Sequence, residues 1–120
     1  MATVAVIGAS NAAQKYGNKA VRAYLRQGWT VYPVNPTEKT VEGLKVYPTI
    51  GDVPGTVDRV SMYVPPSVGI TLLDAIKAKA PAAELFLNPG SESDELLSRA
   101  ETLGLETIQA CSIVDIGERP

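Results

Sequence analysis

The chain has 120 residues, 45% of them hydrophobic and 20% charged, which is the composition of one globular domain, residues 1–120, and not of a disordered polymer. Its formal net charge is −2, from 11 basic and 13 acidic residues, so it has no electrostatic basis for binding nucleic acid. The single cysteine excludes an internal disulfide, and the absence of histidine excludes a histidine base, a phosphohistidine and histidine metal ligands, so we expect no metal site.

The first part of the chain predicts two strands with a helix between them. Residues 3–7 form a continuous apolar run that stops at Gly8, as in a strand buried on both faces of a parallel sheet. Apolar residues recur at helical spacing over residues 18–27, and Gly28 provides a helix stop. Residues 29–34 are rich in β-branched and aromatic side chains and predict the second strand.

The middle of the chain is less regular. After the second strand we expect a short edge strand at residues 45–47 and a helical turn at residues 50–53. Residues 58–64 predict a further strand. Pro66 or Ser67 then begins a helix, because proline is well suited to the first turn of a helix.

The last part of the chain predicts two more strands and one helix. Residues 84–87 form an apolar strand, and residues 105–108 form the last one. Between them, residues 91–103 predict a helix with Ser91 or Ser93 as its N-cap and acidic residues in its first turn.

Strands that alternate with helices at this spacing predict right-handed βαβ units, and hence an α/β fold with a Rossmann-like, doubly wound parallel sheet and helices on both faces. We expect the strand order 3-2-1-4-5-6, with the short edge strand counted as the third. The tail, residues 112–120, is expected to be only partly ordered. The first residues lack the parts of a signal peptide and no apolar run approaches the roughly 20 residues that span a bilayer, so we expect a cytoplasmic protein without a membrane anchor.

In such sheets ligands bind beyond the carboxyl ends of the strands, where the strand order reverses. That rule selects four loops, at residues 8–11, 35–36, 64–67 and 88–91. In the first loop, Gly8 and Ala9 let a ligand approach the backbone, Ser10 offers a hydroxyl, and the next helix directs free N–H groups at a phosphate. Lys15 adds a positive charge before that helix, although an exposed lysine is usually only solvated. A tight strand-to-helix turn also explains Gly8 without any ligand.

The same region departs from the pattern of an NAD site. That pattern requires Gly-x-Gly-x-x-Gly after the first strand and an acid at the end of the second. Here Gly8 is the only glycine in the loop, and Asn35 followed by Pro36 stands where the acid is expected. NAD is therefore a weaker candidate, although it is not excluded.

A pair of prolines follows the strand at residues 58–64. Pro65 and Pro66, together with Val64 and Ile70, make a firm apolar wall against which an adenine can pack. A rigid helix start explains the two prolines equally well, and both interpretations can hold.

Taken together, these segments resemble one known family. The residues that carry the resemblance are Gly8-Ala9-Ser10-Asn11, Val31-Tyr32-Pro33-Val34-Asn35-Pro36, Tyr47-Pro48-Thr49-Ile50 with Val53-Pro54, and Tyr63-Val64-Pro65-Pro66. They look like the small bacterial CoA-binding proteins, whose domain also forms the amino-terminal part of the succinyl-CoA synthetase alpha subunit. The resemblance covers nearly the whole chain and implies a Rossmann-like fold that holds CoA by its nucleotide end.

The resemblance also implies the contacts, and it has two departures. The family often has Cys followed by Pro where this chain has Cys111 and Ser112, and we expect no second domain with a phosphohistidine such as the synthetase has. The contacts that the resemblance implies to the phosphates fall on Gly8, Ser10, Asn11 and Lys15. Those implied after the second strand fall on Asn35 and Pro36, and those to the adenine end fall on Val64, Pro65 and Pro66.

We therefore expect the domain to bind coenzyme A or an acyl-CoA without catalysing a reaction. The alternative is an NAD(P)-binding oxidoreductase or redox-sensor module on the same fold. An enzyme that acts on a CoA thioester is a third interpretation, but Lys15, Tyr16 and Asp115 are scattered and form no base and nucleophile pair. Homo-oligomerisation is left open. Cys111 follows the last strand, so we expect it at the same edge of the sheet as the ligand loops.

Overall fold

A computed structural model of the chain describes residues 2–120, which contain seven strands and five α-helices. The strands are β1 Thr3–Ile7, β2 Thr30–Val34, β3 Thr40–Val41, β4 Leu44–Lys45, β5 Arg59–Met62, β6 Glu84–Leu87 and β7 Glu106–Ile108. The α-helices are α1 Tyr16–Arg26, α2 Pro66–Gly69, α3 Leu73–Lys79, α4 Asp94–Thr102 and α5 Ser112–Asp115, with short 3₁₀ turns at Ile50–Asp52 and Ile70–Leu72. Within residues 2–120, no helix has both the length and the apolarity that crossing a membrane requires.

Five of the strands form one parallel sheet in the order β2-β1-β5-β6-β7. Helices cover both faces of this sheet, so the predicted Rossmann-like α/β fold is confirmed. The chain runs outward from β1 to β2 and then returns to β5 on the other side of β1. This reversal is the switch point, and it places the carboxyl ends of β1 and β5 side by side.

The predicted edge strand at residues 45–47 is wrong, so the third strand of the predicted order is not part of the sheet, whereas the rest of that order, 2-1-4-5-6, is confirmed as β2-β1-β5-β6-β7. Residues 40–45 pair with each other as the antiparallel hairpin β3–β4, so their backbone groups are not available to β2. Only Tyr47 reaches the main sheet, through a single bridge to Val34. Pro48 follows at once and has no N–H with which to extend the pairing.

The helices follow the sequence pattern with shifted ends. α4 begins at Asp94 because Ser93, and not Ser91, is its N-cap: the Ser93 hydroxyl accepts a hydrogen bond from the N–H of Leu96 at 3.1 Å. The helix predicted after β5 is divided into α2, a 3₁₀ turn and α3. α5 lies in the tail that the sequence predicts to be only partly ordered, so this element was not predicted.

Both faces of the sheet are buried, because β1 sends its side chains alternately into two apolar clusters. Val4 and Val6 pack with α1 and α5 on one face. Ala5 and Ile7 pack with α3 and α4 on the other face. None of these four side chains is more than 4% exposed. This two-sided burial explains why β1 is apolar throughout and why it lies inside the sheet.

Candidate functional site

A cleft of about 840 Å³ opens at the carboxyl edge of the sheet, next to the switch point. Its walls come from the loops after β1, β2, β5 and β6, from the start of α1 and from α5. Among the residues within 2–120 that line it, none has a carboxylate side chain, and Lys15 is the only one with a cationic side chain. The charged side chain of the described lining, that of Lys15, therefore favours an anionic ligand.

The first loop of the cleft begins at Gly8, which has a φ of 90°. Side chains rarely tolerate this conformation. A Cβ atom at Gly8 would also lie 3.1 Å from the carbonyl carbon and oxygen of Tyr63, and 3.2 Å from Cγ1 of Val64. The turn therefore requires glycine for reasons internal to the fold, and Gly8 alone is not evidence for a ligand.

Gly17, in the first turn of α1, allows an even closer approach. A Cβ atom there would lie 2.1 Å from the carbonyl oxygen of Gly8, a distance that no side chain can occupy. In dinucleotide-binding folds the third glycine of the fingerprint permits the same close packing of helix and strand. Gly17 therefore brings the start of α1 directly against the end of β1.

This packing presents hydrogen-bond donors to the cleft. The first N–H groups of a helix have no acceptor within the helix, and Tyr16 and Gly17 both line the cleft. Lys15 is the N-cap residue, and the first turn contains no acidic residue. The positive end of the helix dipole and the lysine charge thus act in the same direction and attract an anion.

Side chains from neighbouring elements engage the carbonyl oxygens of the first loop. The Nδ2 of Asn18, a fully buried residue, donates to the oxygen of Ser10 at 2.9 Å, and Nε of Arg22 donates to Oδ1 of Asn18 at 2.8 Å. The Nδ2 of Asn35 donates to the oxygen of Ala9 at 2.8 Å. Because these carbonyls are engaged by donors, they oppose an anionic ligand less than free carbonyls would.

Asn35 is also the residue that stands where an NAD site has an acid. Its Oδ1 accepts hydrogen bonds from the N–H of Thr37 at 2.8 Å and the N–H of Glu38 at 3.0 Å. The carboxylate of Glu38, the next acid along the chain, accepts a hydrogen bond from Asn11. The Asn35 side chain is therefore engaged within and between the loops, and Glu38 lies outside the residues that line the cleft.

A buried polar network lies beside the cleft and holds α5 in place. The hydroxyl oxygens of Ser61 and Ser112 lie 2.6 Å apart, and Nδ2 of Asn88 donates to the Ser61 hydroxyl at 3.0 Å. The N–H of Ser112 donates to Oδ1 of Asn88 at 2.9 Å. These contacts fix α5 beside the sheet, where Cys111 and Val114 line the cleft.

Tyr63 connects this network to the lining of the cleft. Its hydroxyl lies 3.2 Å from the hydroxyl oxygen of Ser112. Burial raises the pKa of Tyr63 to about 12, although hydrogen bonds with Ser112 and Ser61 oppose the rise. The phenol therefore stays protonated at neutral pH and acts as a hydrogen-bonding group and not as a base.

Comparison with known proteins decides the family. Residues 2–117 match the family described as a CoA binding domain. The chain belongs to this CoA-binding domain family. The resemblance identified from the sequence segments is thereby confirmed, over nearly the whole length of the chain.

Known proteins similar to this CoA-binding domain differ greatly in size. A conserved hypothetical protein from Pyrococcus furiosus has a TM-score of 0.87 and 33% identity, over 96% of this chain and 99% of that one. The dinucleotide forming acetyl-coenzyme A synthetase 1 of Ca. Korarchaeum cryptofilum has a TM-score of 0.78 and 30% identity, over 91% of this chain and 25% of that one. The ADP-forming acetate–CoA ligase II subunit alpha of Pyrococcus furiosus is 45% identical over 65 residues, which are 52% of this chain and 14% of the subunit. The CoA-binding domain thus corresponds to a small part of this curated relative.

The structure brings together part of the predicted site of the CoA-binding domain. Ala9 is fully buried, Asn11 donates to the carbonyl oxygen of Thr40 at 2.8 Å, and Ile70 packs against the core. Contact of any of the predicted residues with a ligand stays a prediction. The predicted residues that line the cleft are Gly8, Ser10, Lys15, Asn35, Val64 and Pro65. Those outside the lining are Ala9, Asn11, Pro36, Pro66 and Ile70.

Sequence reasoning missed Gly17 and Val114 among the residues that line the cleft. A glycine inside a helical pattern costs stability and so indicates a packing or functional reason, which is the signal that could have identified Gly17. Val114 lies in the tail that was expected to be only partly ordered, and no local pattern marks it. Cys111 does line the cleft, so its predicted place at the ligand edge of the sheet is confirmed.

Proposed function

We propose that this CoA-binding domain binds coenzyme A, or an acyl-CoA, without catalysing a reaction. The phosphates bind at the loop after β1 and at the first turn of α1, and the adenine packs against Val64 and Pro65. One observation carries the proposal: in a chain of this family, the cleft at the switch point contains a helix N-terminus with Lys15, and its lining within residues 2–120 has no acidic side chain.

The chemistry of the cleft fits the phosphates of CoA. The diphosphate and the 3′-phosphate are oxyanions, and they need N–H or O–H donors and positive charge nearby. Here the donors are the backbone of the first turn of α1, the Ser10 hydroxyl and the Lys15 ammonium group. The volume of about 840 Å³ falls within the roughly 300–1,000 Å³ of typical ligand pockets.

The loop after β5 supports the placement of the adenine. Val64 is half-buried and Pro65 is exposed, and both line the cleft. Pro66 is the first residue of α2, where its fixed φ helps to begin the helix. The proline pair therefore supports a division of roles, in which Pro66 sets the helix and Pro65 forms a rigid apolar wall for a flat ring.

The titratable groups of the cleft support binding without catalysis. Acyl transfer from a thioester requires a nucleophile with a general base within hydrogen-bond reach. The sequence contains no histidine, and the part of the lining within residues 2–120 has no carboxylate side chain. Tyr63, with its pKa raised to about 12 by burial, holds its proton at neutral pH.

Native mass spectrometry tests this proposal. We expect a complex with one CoA or acyl-CoA per chain, and weaker binding of NAD at equal concentration. Lys15→Gln should lower the affinity for CoA about fivefold, because an exposed charge contact contributes about 1 kcal/mol. Lys77→Gln, on α3 and outside the cleft lining, is the matched control and should bind as the unaltered protein does. A protein that takes up NAD as readily as CoA would contradict the proposal.

A further inference from the structure

We propose that the α5 side of the cleft binds the acyl end of an acyl-CoA and selects uncharged, apolar acyl groups. The inference rests on the proposed function, since it concerns the arm of a CoA whose phosphates lie at the start of α1. It adds a substrate class to that function and assigns Val114 as the residue that determines it.

Val114 provides exposed apolar surface on the α5 side of the cleft. Tyr16 on α1 is 55% exposed and Val114 on α5 is 58% exposed, and both line the cleft. The other exposed large hydrophobic residues within 2–120 are Leu25 at 38% and Val68 at 45%, and neither lines it. Because covering apolar surface is favourable, an apolar group of the ligand gains most binding energy between α1 and α5.

The arrangement of the cleft also sets the direction of the ligand. Besides Lys15, where we place the phosphates, the lining includes Val64 and Pro65 on one loop, and Cys111 and Val114 at α5. The rigid proline wall suits a flat adenine ring. The pantetheine arm then extends towards α5, and its thioester end reaches the apolar surface at Val114.

Lys19, whose Nζ lies 4.9 Å from the centre of the Tyr16 ring, is outside the lining, and no lysine or arginine on α5 belongs to the described part of the lining. Lys15, the only lysine or arginine in that lining, lies at the phosphate end. Arg59 lies near α5, but it is outside the lining and forms ion pairs of 2.9 Å with both Glu84 and Asp115. A carboxylate at the end of an acyl chain would therefore lose water without gaining a counter-ion, which is unfavourable.

Isothermal titration with matched ligands tests the selectivity. Butyryl-CoA and succinyl-CoA both carry four-carbon acyl groups, which end in a methyl group and a carboxylate respectively. We expect butyryl-CoA to bind about tenfold more tightly than succinyl-CoA, and the affinity to rise about threefold for each methylene from acetyl-CoA to butyryl-CoA. Equal affinities of butyryl-CoA and succinyl-CoA would overturn the inference and leave CoA binding standing, whereas failure to bind any CoA compound would overturn the proposed function as well.

A charge introduced on α5 provides the second test. Val114→Lys should raise the ratio of succinyl-CoA affinity to butyryl-CoA affinity about tenfold, because the new ammonium group supplies the missing counter-ion. Val68→Lys is the matched control, since Val68 is a similarly exposed valine outside the lining, and it should keep the original ratio. Both positions are exposed, so the fold tolerates the change. An unchanged ratio in Val114→Lys, or the same change in Val68→Lys, would show that the acyl group lies elsewhere.

Discussion

The missing side chains of Gly8 and Gly17 shape the carboxyl end of β1. Gly8 combines a φ of 90° with a close approach to the backbone of Tyr63, and Gly17 lies against the carbonyl oxygen of Gly8. Both requirements come from contacts within the protein. The two glycines therefore serve the fold first, and the donor groups that they bring to the cleft follow from that packing.

Replacement of Gly8, compared with replacement of a second glycine, separates two losses in the free energy of unfolding: the loss from a side chain at positive φ and the loss from crowding against Tyr63. Gly8→Ala should lower the free energy of unfolding by about 3 kcal/mol, because strain at positive φ and crowding against Tyr63 act together. Gly55→Ala is the matched control: Gly55 has a φ of 76°, but a Cβ atom there would have no neighbour within 4 Å, so only about 1 kcal/mol is expected. Urea unfolding measures both values, and equal losses would show that the contact with Tyr63 is unimportant.

Gly8→Val makes the corresponding prediction for the ligand. A branched side chain would press against the carbonyl of Tyr63 and Cγ1 of Val64 and displace the loop at which we propose that the phosphates bind, so the folded variant should lose CoA binding, as measured by titration calorimetry. If a folded Gly8→Val protein keeps its affinity for CoA, the ligand does not lie at this loop.

Cys111 is a half-buried free thiol on the α5 side of the cleft, where the pantetheine arm is expected to end. When the protein is incubated with CoA disulfide, the Cys111 thiolate should attack one sulfur and release the other CoA as a thiolate, leaving a mixed disulfide. Intact mass should rise by one CoA moiety and return to its original value on reduction, and Cys111→Ser should give no adduct. A protein that binds CoA but forms no adduct would contradict this orientation of the arm.

At the scale of elements, α5 depends on the rest of the domain for its position. It has only four residues, too few for a helix to be stable alone. Ser112 anchors it to Ser61 and Asn88, and Asp115 anchors it to Arg59 at 2.9 Å. One wall of the cleft is therefore held by buried hydrogen bonds and an ion pair.

The pKa of Tyr63 predicts how the stability of this region depends on pH. Burial raises that pKa from 10.0 to about 12, so the unfolded chain loses its phenol proton at a lower pH than the folded chain does. The stabilising contribution is present below pH 10 and is lost as the pH rises towards 12. Between these values the unfolding free energy of the unaltered protein should fall by about 2 kcal/mol more than that of Tyr63→Phe, as urea titrations at each pH would measure. Parallel losses in the two proteins would contradict the role of Tyr63.

The central strands could be predicted from the sequence, because burial on both faces of a parallel sheet gives apolar runs such as β1 and β6. The β3–β4 hairpin could not, because its turn at Glu42 and Gly43 lacks the usual Asn-Gly or Asp-Gly signal although both residues have positive φ. α5 was missed for a related reason. Its position comes from Asn88 and Arg59, far away in the sequence, and from no periodic pattern of its own.

At the scale of the whole molecule, the position of the cleft follows from topology. The order of the strands identifies the switch point, and the loops that meet there include Gly8, Lys15, Asn35 and Val64. The contacts within the site, in contrast to its position, could not be predicted from the topology. Distances such as that from Gly17 to the oxygen of Gly8 depend on how a helix packs against a strand, which the local sequence does not specify.

Ligand-dependent thermal unfolding tests the central claim of CoA binding most directly. A ligand that binds only the folded state stabilises it by RT ln(1 + [L]/Kd), about 2.7 kcal/mol at 100 times Kd, which raises Tm by roughly 10 °C in a domain of this size. At equal concentrations, CoA should raise Tm more than NAD or ATP does, because only CoA has a pantetheine arm to cover the α5 side of the cleft, and the lining within residues 2–120 has no acidic side chain for the second ribose of NAD. An increase with NAD or ATP that equals or exceeds the increase with CoA would contradict the account.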